Sequence, residues 1–249
     1  MMGVTHALTG WCGGLVAAPL VGASHPTSVL WFAVATTGAA LLPDLDHPKA
    51  KASRLLGPVT GLVSQGLRGV SRLVYLATAT PVDANRKDPH RTLTHTLVFA
   101  VALGVVVAAV TAATGVVGAL VVAGLMLLLA VDALGGWMLA AAVPGMVASV
   151  IDPDALEQLP TVLGVAVGLG CVVHILGDWV SEAPVPMLWP APIVGKRWYP
   201  CNAPRFVRFR VGGKAETHLL APLFTVLGVL LIPGVGDAVA KMVDAMTSV

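Results

Sequence analysis

Long runs of apolar residues, separated by short polar stretches, dominate the chain. A membrane-spanning helix needs about 20 mostly apolar residues, and several runs have this length. We predict spans at 6–23, 27–43, 94–114, 116–132, 136–151, 161–180 and 217–235. The apolar region 115–151 is too long for one span, so we divide it at VDALGG, residues 131–136. The pattern therefore predicts about seven spans.

Two segments between these runs have different patterns. In 54–80, Arg54, Arg68 and Arg72 interrupt an apolar sequence. Burying arginines in hydrocarbon is costly, so we expect an amphipathic helix in the membrane interface rather than another short span. The segment 181–216 is rich in proline and aromatic residues, which predicts an ordered, irregular lid rather than a regular helix.

The composition agrees with a membrane protein. The chain has 249 residues, of which 56% are hydrophobic and 11% charged, and its mean hydropathy is +0.85. A soluble domain usually carries about 25% charged residues. We therefore predict an all-α polytopic transmembrane helical bundle, with 1–249 forming a single membrane domain. None of the three cysteines forms a pair at metal-knuckle spacing, so neither disulfides nor a cysteine zinc site is expected.

The distribution of charge predicts the orientation. The N-terminal MMGVTHALTG lacks lysine and arginine, so we expect its apolar run to be a retained helix rather than a cleaved signal. With seven spans, the loops 44–93 and 181–216 lie on the N-terminal side and carry 14 of the 15 basic residues, Lys241 being the exception. The opposite loop 152–160 is acidic. Positive charge marks the cytoplasmic side, which predicts a multi-pass inner (plasma) membrane protein with a cytoplasmic N-terminus.

The same topology gathers histidines and acidic residues at the cytoplasmic ends of the spans. Asp44 and Asp46 lie two residues apart, so in an extended turn both carboxylates point the same way. His174 and Asp178 have i, i+4 spacing and share a helix face. A solvated turn and a packing His–Asp pair are the alternatives. The predicted metal ligands are His6, Asp44, Asp46, His90, His95, His174 and Asp178.

The stretch DPHRTLTH contributes two of these histidines. Asp88 is a suitable N-cap and Pro89 a suitable first helical residue, which places His90 in the first turn. His95 lies about 140° around such a helix from His90, so one or both are ligands. Arg91 lies one turn before His95, and arginine beside histidine favours an anionic group such as phosphate.

Other polar residues on this side are weaker candidates. Glu216 is a metal ligand, a general base or a charge favoured at a helix N-terminus, and we name Glu216 and Arg91 as catalytic candidates. His218 is a weaker ligand candidate, and Asp132 a possible partner of a ligand. The lid arginines are expected to bind the anionic group of the substrate or of lipid headgroups; they are Arg205, Arg208 and Arg210.

Imidazole and carboxylate ligands without thiolates favour zinc, with manganese or iron as alternatives, and the number of candidates suffices for one or two ions. Two ions beside arginines fit hydrolysis of a phosphoester by activated water. A membrane-embedded site favours a lipid-borne, anionic substrate and membrane lipids as partners; nucleic acid is not implied. The alternatives are a metal or proton transporter or channel and a non-catalytic scaffold. A transport pathway predicts polar residues at mid-depth, which the first, second and last spans almost lack.

Five motifs carry a resemblance to a known family. In order they are THALTG, LLPDLDHP, HRTLTHTL, HILGD and GGKAE. Together they resemble the YdjM-like family of bacterial inner-membrane proteins, described as predicted metal-dependent hydrolases and distantly similar to zinc-dependent phospholipase C and single-strand nucleases. The resemblance implies a metal-dependent hydrolase activity. It also implies a ligand set of His6, Asp44 or Asp46, His90 or His95, His174 and Asp178, with Glu216 as a further candidate.

Overall fold

The structure is a computed structural model that describes residues 1–55, 57–83 and 90–247. Isolated β-bridges occur within 181–209, and no strand forms in the described residues. The predicted all-α class is confirmed. The described helices are α1 (Gly3–Ala17), α2 (Pro26–Ala39), α3 (Pro58–Thr78), α4 (Leu97–Leu134), α5 (Trp137–Ile151), α6 (Pro153–Trp179), α7 (Ala221–Leu230) and α8 (Val235–Thr247).

Helix α2 forms the centre of the bundle and packs against α1, α4, α5 and α6. Phe32 in its middle is completely buried. Small residues allow the neighbouring backbones to approach closely, as is common between helices in lipid. A Cβ added at Gly14 of α1 would lie 2.5 Å from α2, and one at Gly170 of α6 would do the same. A Cβ at Gly38 would lie 2.0 Å from the Met126 carbonyl oxygen of α4.

In the described part of the chain, four helical segments are long and apolar enough to cross a membrane: Gly3–Val21, Pro26–Asp46, Leu97–Leu134 and Pro153–Trp179. A fifth span forms if Glu216–Leu230 and Val235–Thr247, which meet at a bend of 91°, count as one. Helix α5 is apolar but shorter. The count of seven spans stays a prediction.

Helix α4 covers both predicted spans 94–114 and 116–132, but it is broken between them. Gly115 has φ 63° and ψ −150°, outside the helical region. A straight helix of this length would separate its ends by about 57 Å. Instead Asp44 lies close to His95, just before α4, and lines one cavity with Asp132 near its end. The arms before and after Gly115 therefore run in opposite directions.

Several predicted boundaries are wrong. Helix α4 begins at Leu97 rather than 94, because the Thr96 hydroxyl accepts a hydrogen bond from the Phe99 N–H at 3.1 Å and caps the helix. His90 therefore lies in a turn, not in a first helical turn. The proposed cap at Asp88 and the helix start at Pro89 lie outside the described residues.

The predicted acidic loop 152–160 is also wrong, since it forms the first turns of α6. Asp152 accepts a hydrogen bond from the Asp154 N–H at 3.0 Å, and Pro153 occupies the first helical position. Proline there loses no helical hydrogen bond. The last predicted span, 217–235, ends earlier, at Leu230, where the chain bends before α8.

Helix α3 forms within the predicted segment 54–80 and has two unlike faces. Leu62, Leu73 and Leu76 are exposed, whereas Ser71 and Tyr75 are buried. The buried face packs against the turns that follow α2 and precede α4. The helix is amphipathic, as predicted; its position in the membrane interface stays a prediction.

The predicted lid 181–216 is largely irregular and is anchored on the end of α3. Trp189 and Trp198 stack with ring centroids 5.0 Å apart, and Trp198 also contacts Tyr75. Both indole N–H groups donate to the Thr78 hydroxyl, at 3.3 and 3.1 Å. Asp83 adds a second anchor, since it accepts hydrogen bonds from the backbone of Thr80 and Trp198.

We predict that Gly38→Ala destabilises the bundle, because the new methyl group would overlap the Met126 carbonyl. Such overpacking typically costs about 1–3 kcal/mol. Gly124→Ala in α4 is the matched control, since nothing lies within 4 Å of its added Cβ, and alanine favours a helix by about 0.5–1 kcal/mol. Thermal unfolding in detergent should give a lower midpoint for the first variant only. Equal midpoints would show that the α2–α4 contact does not constrain the fold.

We also predict that the lid anchor depends on pH through Asp83. Partial burial alone would raise the pKa of this carboxyl, but hydrogen bonds from Thr80, Trp198 and Arg197 lower it below its usual value. The anchor should therefore stabilise the fold above the ordinary aspartate pKa and weaken as pH falls through the lowered one. Asp83→Asn should shift tryptophan fluorescence at pH 6, and this difference should shrink in acid. A difference that stays constant with pH would refute the role of the charge.

Candidate metal centre

The end of α6 supplies two side chains of the candidate centre. His174 is completely buried, and its Nδ1 lies 2.7 Å from the Ala40 carbonyl oxygen. A carbonyl only accepts, so Nδ1 must donate the hydrogen. In neutral His174 the lone pair is therefore on Nε2, which faces the centre. Asp178 follows on the same helix face, with Oδ2 3.8 Å from His174 Nε2.

His95 approaches from the turn before α4, with its tautomer fixed in the same way. The Thr94 hydroxyl has one hydrogen, and it donates to Asp46 Oδ2 at 2.6 Å. Its oxygen therefore accepts from His95 Nδ1 at 2.9 Å. The Nε2 of neutral His95 then carries a lone pair, and it lies 3.3 Å from the Nε2 of His174. Two facing lone pairs repel each other unless a cation or a shared proton lies between them.

Asp44 and His6 complete the cluster. Asp44 Oδ1 lies 3.7 Å from His174 Nε2 and 3.9 Å from His95 Nε2, and 22% of its side chain is exposed. The His6 ring stacks on His174 with centroids 3.7 Å apart. Neither ring nitrogen of His6 has a hydrogen-bond partner among the described residues, although Nε2 lies 3.3 Å from Asp178 Oδ1. A buried ring nitrogen without a hydrogen bond requires an explanation, and a bound metal ion is one.

These side chains fit a divalent metal ion. Nitrogen and oxygen atoms form three overlapping sets in which all ligand atoms lie within 4.8 Å of one another. The donors are imidazoles and carboxylates without thiolates, which suits zinc and also manganese or iron. The sets among the described residues are His6–Asp44–His174, Asp44–His90–His95 and His95–His174–Asp178.

Asp46 has a different place from Asp44. It is completely buried, and its Oδ1 lies 2.7 Å from His90 Nδ1 while Oδ2 accepts from Thr94. Carboxylates in this position orient a ligating imidazole rather than bind the metal themselves. The geometry therefore favours Asp44 as the ligand and Asp46 as the residue that orients His90 and Thr94.

The same contacts shift the pKa of His90. Burial alone would lower it, but the hydrogen bond and charge of Asp46, with the charge of Asp44, raise the pKa above the usual histidine value. His90 keeps 20% of its side chain exposed. Together with Asp44 it forms the more accessible side of the cluster.

Arg91 is held against Asp178 rather than pointing into solvent. Its Nη2 lies 2.9 Å from Asp178 Oδ2, and Nη1 donates to the Ser181 hydroxyl and the Ala183 carbonyl. Its backbone has φ 56°, a left-handed conformation that is unusual for a residue with a side chain. The turn thus places a guanidinium beside the cluster at the cost of local strain.

Other predicted residues do not join the cluster. Both carboxylate oxygens of Glu216 accept backbone N–H groups, from Met2 at 2.6 Å and from Gly212 at 2.8 Å. Asp132 pairs instead with Lys51 at 2.9 Å. His218 is exposed and contacts Thr217. Of the lid arginines, Arg208 donates to the Ala203 carbonyl, while the other two, Arg205 and Arg210, are exposed.

Three further groups contact the centre and were not predicted. The Thr94 hydroxyl bridges Asp46 and His95, and the Ser181 hydroxyl links Arg91 to the Asp178 carbonyl. The Met1 nitrogen donates to Asp178 Oδ1. In the sequence RTLTH, Thr94 stands directly before His95, which could have indicated that its hydroxyl contacts the ring. Its second partner, Asp46, lies 48 residues away along the chain, so local spacing does not reveal the bridge.

The comparisons with known proteins agree with the membrane character of the chain. The family described as YdjM inner membrane protein matches residues 1–236. No curated protein and no solved structure matches.

We predict that Asp44 and Asp46 differ in zinc binding. Asp44→Ala should lower the amount of bound zinc, because a ligand is lost. Asp46→Ala should keep the stoichiometry but weaken affinity about 10–100-fold, because His90 loses its orientation. Both can be measured with a chelating dye on purified protein. His218→Ala is the control and should match the wild type; identical losses for both aspartates would contradict the assignment.

Proposed function

Because the chain belongs to the YdjM inner membrane protein family, and because two imidazole lone pairs face each other in its buried cluster, we propose that it is a membrane-bound, metal-dependent hydrolase of a phosphoester. The facing nitrogens of His95 and His174, 3.3 Å apart, carry this proposal. They favour a cation between them, and a metal at a membrane protein's polar end suits a lipid-borne substrate.

The ligands for one or two ions would be His6, Asp44, His90, His95, His174 and Asp178. A divalent ion, with zinc favoured over manganese or iron, would supply Lewis acidity, which lowers the pKa of water toward neutrality and offsets charge on a phosphoryl group. The chain's own residues would orient these ligands. Asp46 holds His90, and the Ala40 carbonyl holds His174, each through a bond of 2.7 Å.

A cavity beside the cluster would admit the anionic group. It has a volume of about 230 Å³, and its lining includes Met2, Asp44, Lys51 and Asp132. The Lys51 ammonium pairs with Asp132 at 2.9 Å but is 72% exposed, so a phosphate would bind it by displacing this carboxylate. Arg91, which is 14% exposed and bound to Asp178, would contribute its positive charge from the Asp178 side.

A transporter or channel is the alternative for the same cluster. Such a protein needs polar groups along a route through the membrane. Among the described residues, every buried histidine and carboxylate side chain lies at the site end of the bundle: His6, Asp46, His95, His174, Asp178 and Glu216. The middle of α2 consists of residues such as Phe32 and Val34, which favours a site at one end over a pathway. The basic loops 44–93 and 181–216 support a cytoplasmic position for this end.

The proposal is tested by phosphate release from phosphatidic acid in lipid nanodiscs, using protein stripped of metal and reloaded with zinc, manganese or iron. One metal should restore activity. Asp178→Asn should lower the rate at least about 100-fold, because this carboxylate contacts His6, His95 and Arg91.

His218→Ala should keep the wild-type rate in this assay, since His218 lies outside the cluster. Release of phosphocholine from phosphatidylcholine would break the same diacylglycerol–phosphate bond in a lipid with a headgroup, whereas release of free choline would report cleavage on the other side of the phosphate. Equal rates for the wild type and Asp178→Asn, with every metal and both lipids, would refute the mechanism.

A further inference from the structure

A long apolar groove runs from the candidate metal centre into the bundle's outer surface. It has a volume of about 750 Å³ and lies between α1, α6 and the segment 220–231. Its walls are aliphatic and aromatic, including Val16, Leu169, Val173 and Phe224. The cluster described above does not use these residues.

All three walls begin near the metal centre and extend away from it. On α6 the lining extends from Leu169 to Val180, just past Asp178, and on the α7 side it extends from Leu220 to Leu231. The α6 and α7 walls are each about 16 Å long at 1.5 Å per helical residue. The hydrocarbon core of a bilayer is about 30 Å thick, so the groove has the depth of one leaflet.

One end of the groove reaches the metal centre. Gly177 lines the groove, and a Cβ added there would lie 3.3 Å from the His6 ring and 2.5 Å from the Met1 sulfur. The Met1 side chain, which also lines the groove, and the bare Gly177 backbone therefore adjoin the His6 ring. A thioether side chain is flexible and adapts to a neighbouring group.

The mouth of the groove combines apolar and basic residues. Val207 and Phe209 line it, and the intervening Arg208 is partly exposed. Exposed Arg205 and Arg210 flank this segment, and Phe206 is 88% exposed. Aromatic and basic side chains at one level suit the headgroup region of a membrane. The charge at the mouth is complementary to a lipid phosphate.

We propose that this groove binds one hydrocarbon chain of a phosphate-bearing membrane lipid and presents the lipid's phosphoester to the His6–Asp178 side of the cluster. The proposal rests on the proposed hydrolase function for the fate of the lipid, but chain binding itself needs no reaction. The occupant is a lipid of the leaflet that adjoins the site, held by its chain in the groove and by its phosphate at the arginine-containing mouth.

The test uses the full chain in phosphatidylcholine nanodiscs with phosphatidic acid that carries a photoreactive diazirine midway along one acyl chain. After illumination, labelled peptides are identified by mass spectrometry. We expect labelling of the groove walls around Val16, Val173 and Phe224 to exceed, several-fold, labelling of the outward-facing Val101 on α4. If the lipid contacts the protein only as part of the surrounding bilayer, the groove walls and Val101 should be labelled equally.

Variants that fill the groove provide the decisive comparison. Val16→Trp and Leu227→Trp place bulk on the α1 and α7 walls and should each lower groove labelling several-fold. Val101→Trp is the matched control, because Val101 is 62% exposed and Val16 is 61% exposed. The control should leave groove labelling unchanged. Two groove variants keep the test valid if one of them fails to fold.

The outcomes separate this inference from the proposed function. Asp178→Asn should keep groove labelling, since the chain contacts lie elsewhere. The groove variants should hydrolyse a short-chain, water-soluble phosphatidic acid at the wild-type rate and the long-chain lipid at least tenfold more slowly. Preferential labelling without hydrolysis supports the groove and refutes the hydrolase. Labelling equal to that of Val101, or unaffected by both tryptophans, overturns the groove even if hydrolysis is found.

Discussion

The arrangement at the polar end of the bundle depends on the two imidazoles whose Nε2 atoms face each other. Each ring is fixed by a hydrogen bond at Nδ1, from His174 to the Ala40 carbonyl and from His95 to Thr94. These partners leave both lone pairs directed at the same point, in a completely buried environment. Burial strengthens electrostatic repulsion as well as attraction. The site therefore calls for positive charge between the rings, supplied by a metal ion or a proton.

Close helix packing makes this convergence possible. Ala40 follows α2, His174 belongs to α6 and His95 precedes α4, so three separate segments must meet within hydrogen-bond distance. Glycines at the α2 contacts let the backbones approach until no methyl group would fit. Because the spanning helices pack as a unit, the ligands are positioned by the apolar part of the bundle. The irregular lid adds Ser181, which holds Arg91 near Asp178.

The sequence predicted those features that depend on local spacing or on topology alone. Apolar run lengths indicated a helical membrane protein, and i, i+4 spacing placed His174 and Asp178 on one face. Six of the seven predicted ligands, all except Asp46, gather because the segments that carry them end on one side of the bundle. Distinguishing Asp44 from Asp46 was beyond the sequence, since the difference arises from Thr94 and His90, which are distant along the chain. Glu216 was ambiguous for the same reason, because its backbone partners lie in two separate segments.

Two of the boundary errors, at 94 and at 152–160, have a common physical origin. Polar residues in 152–160 indicated a loop, but the Asp152 cap and Pro153 stabilise a helix start that composition does not reveal. Thr96 caps α4, so the helix begins at Leu97, after both histidines. His95 therefore lies in the preceding turn, from which its ring enters the cluster. In both places a single capping side chain determined the result.

Zinc K-edge X-ray absorption of the purified, zinc-loaded protein tests the central claim most directly. The account predicts nitrogen and oxygen ligands with metal–nitrogen distances of about 2.0–2.1 Å, with scattering from at least two imidazole rings. Replacing His95 with alanine should remove part of the imidazole signal. Sulfur ligation, or oxygen ligands without imidazole, would contradict a metal held between His95 and His174.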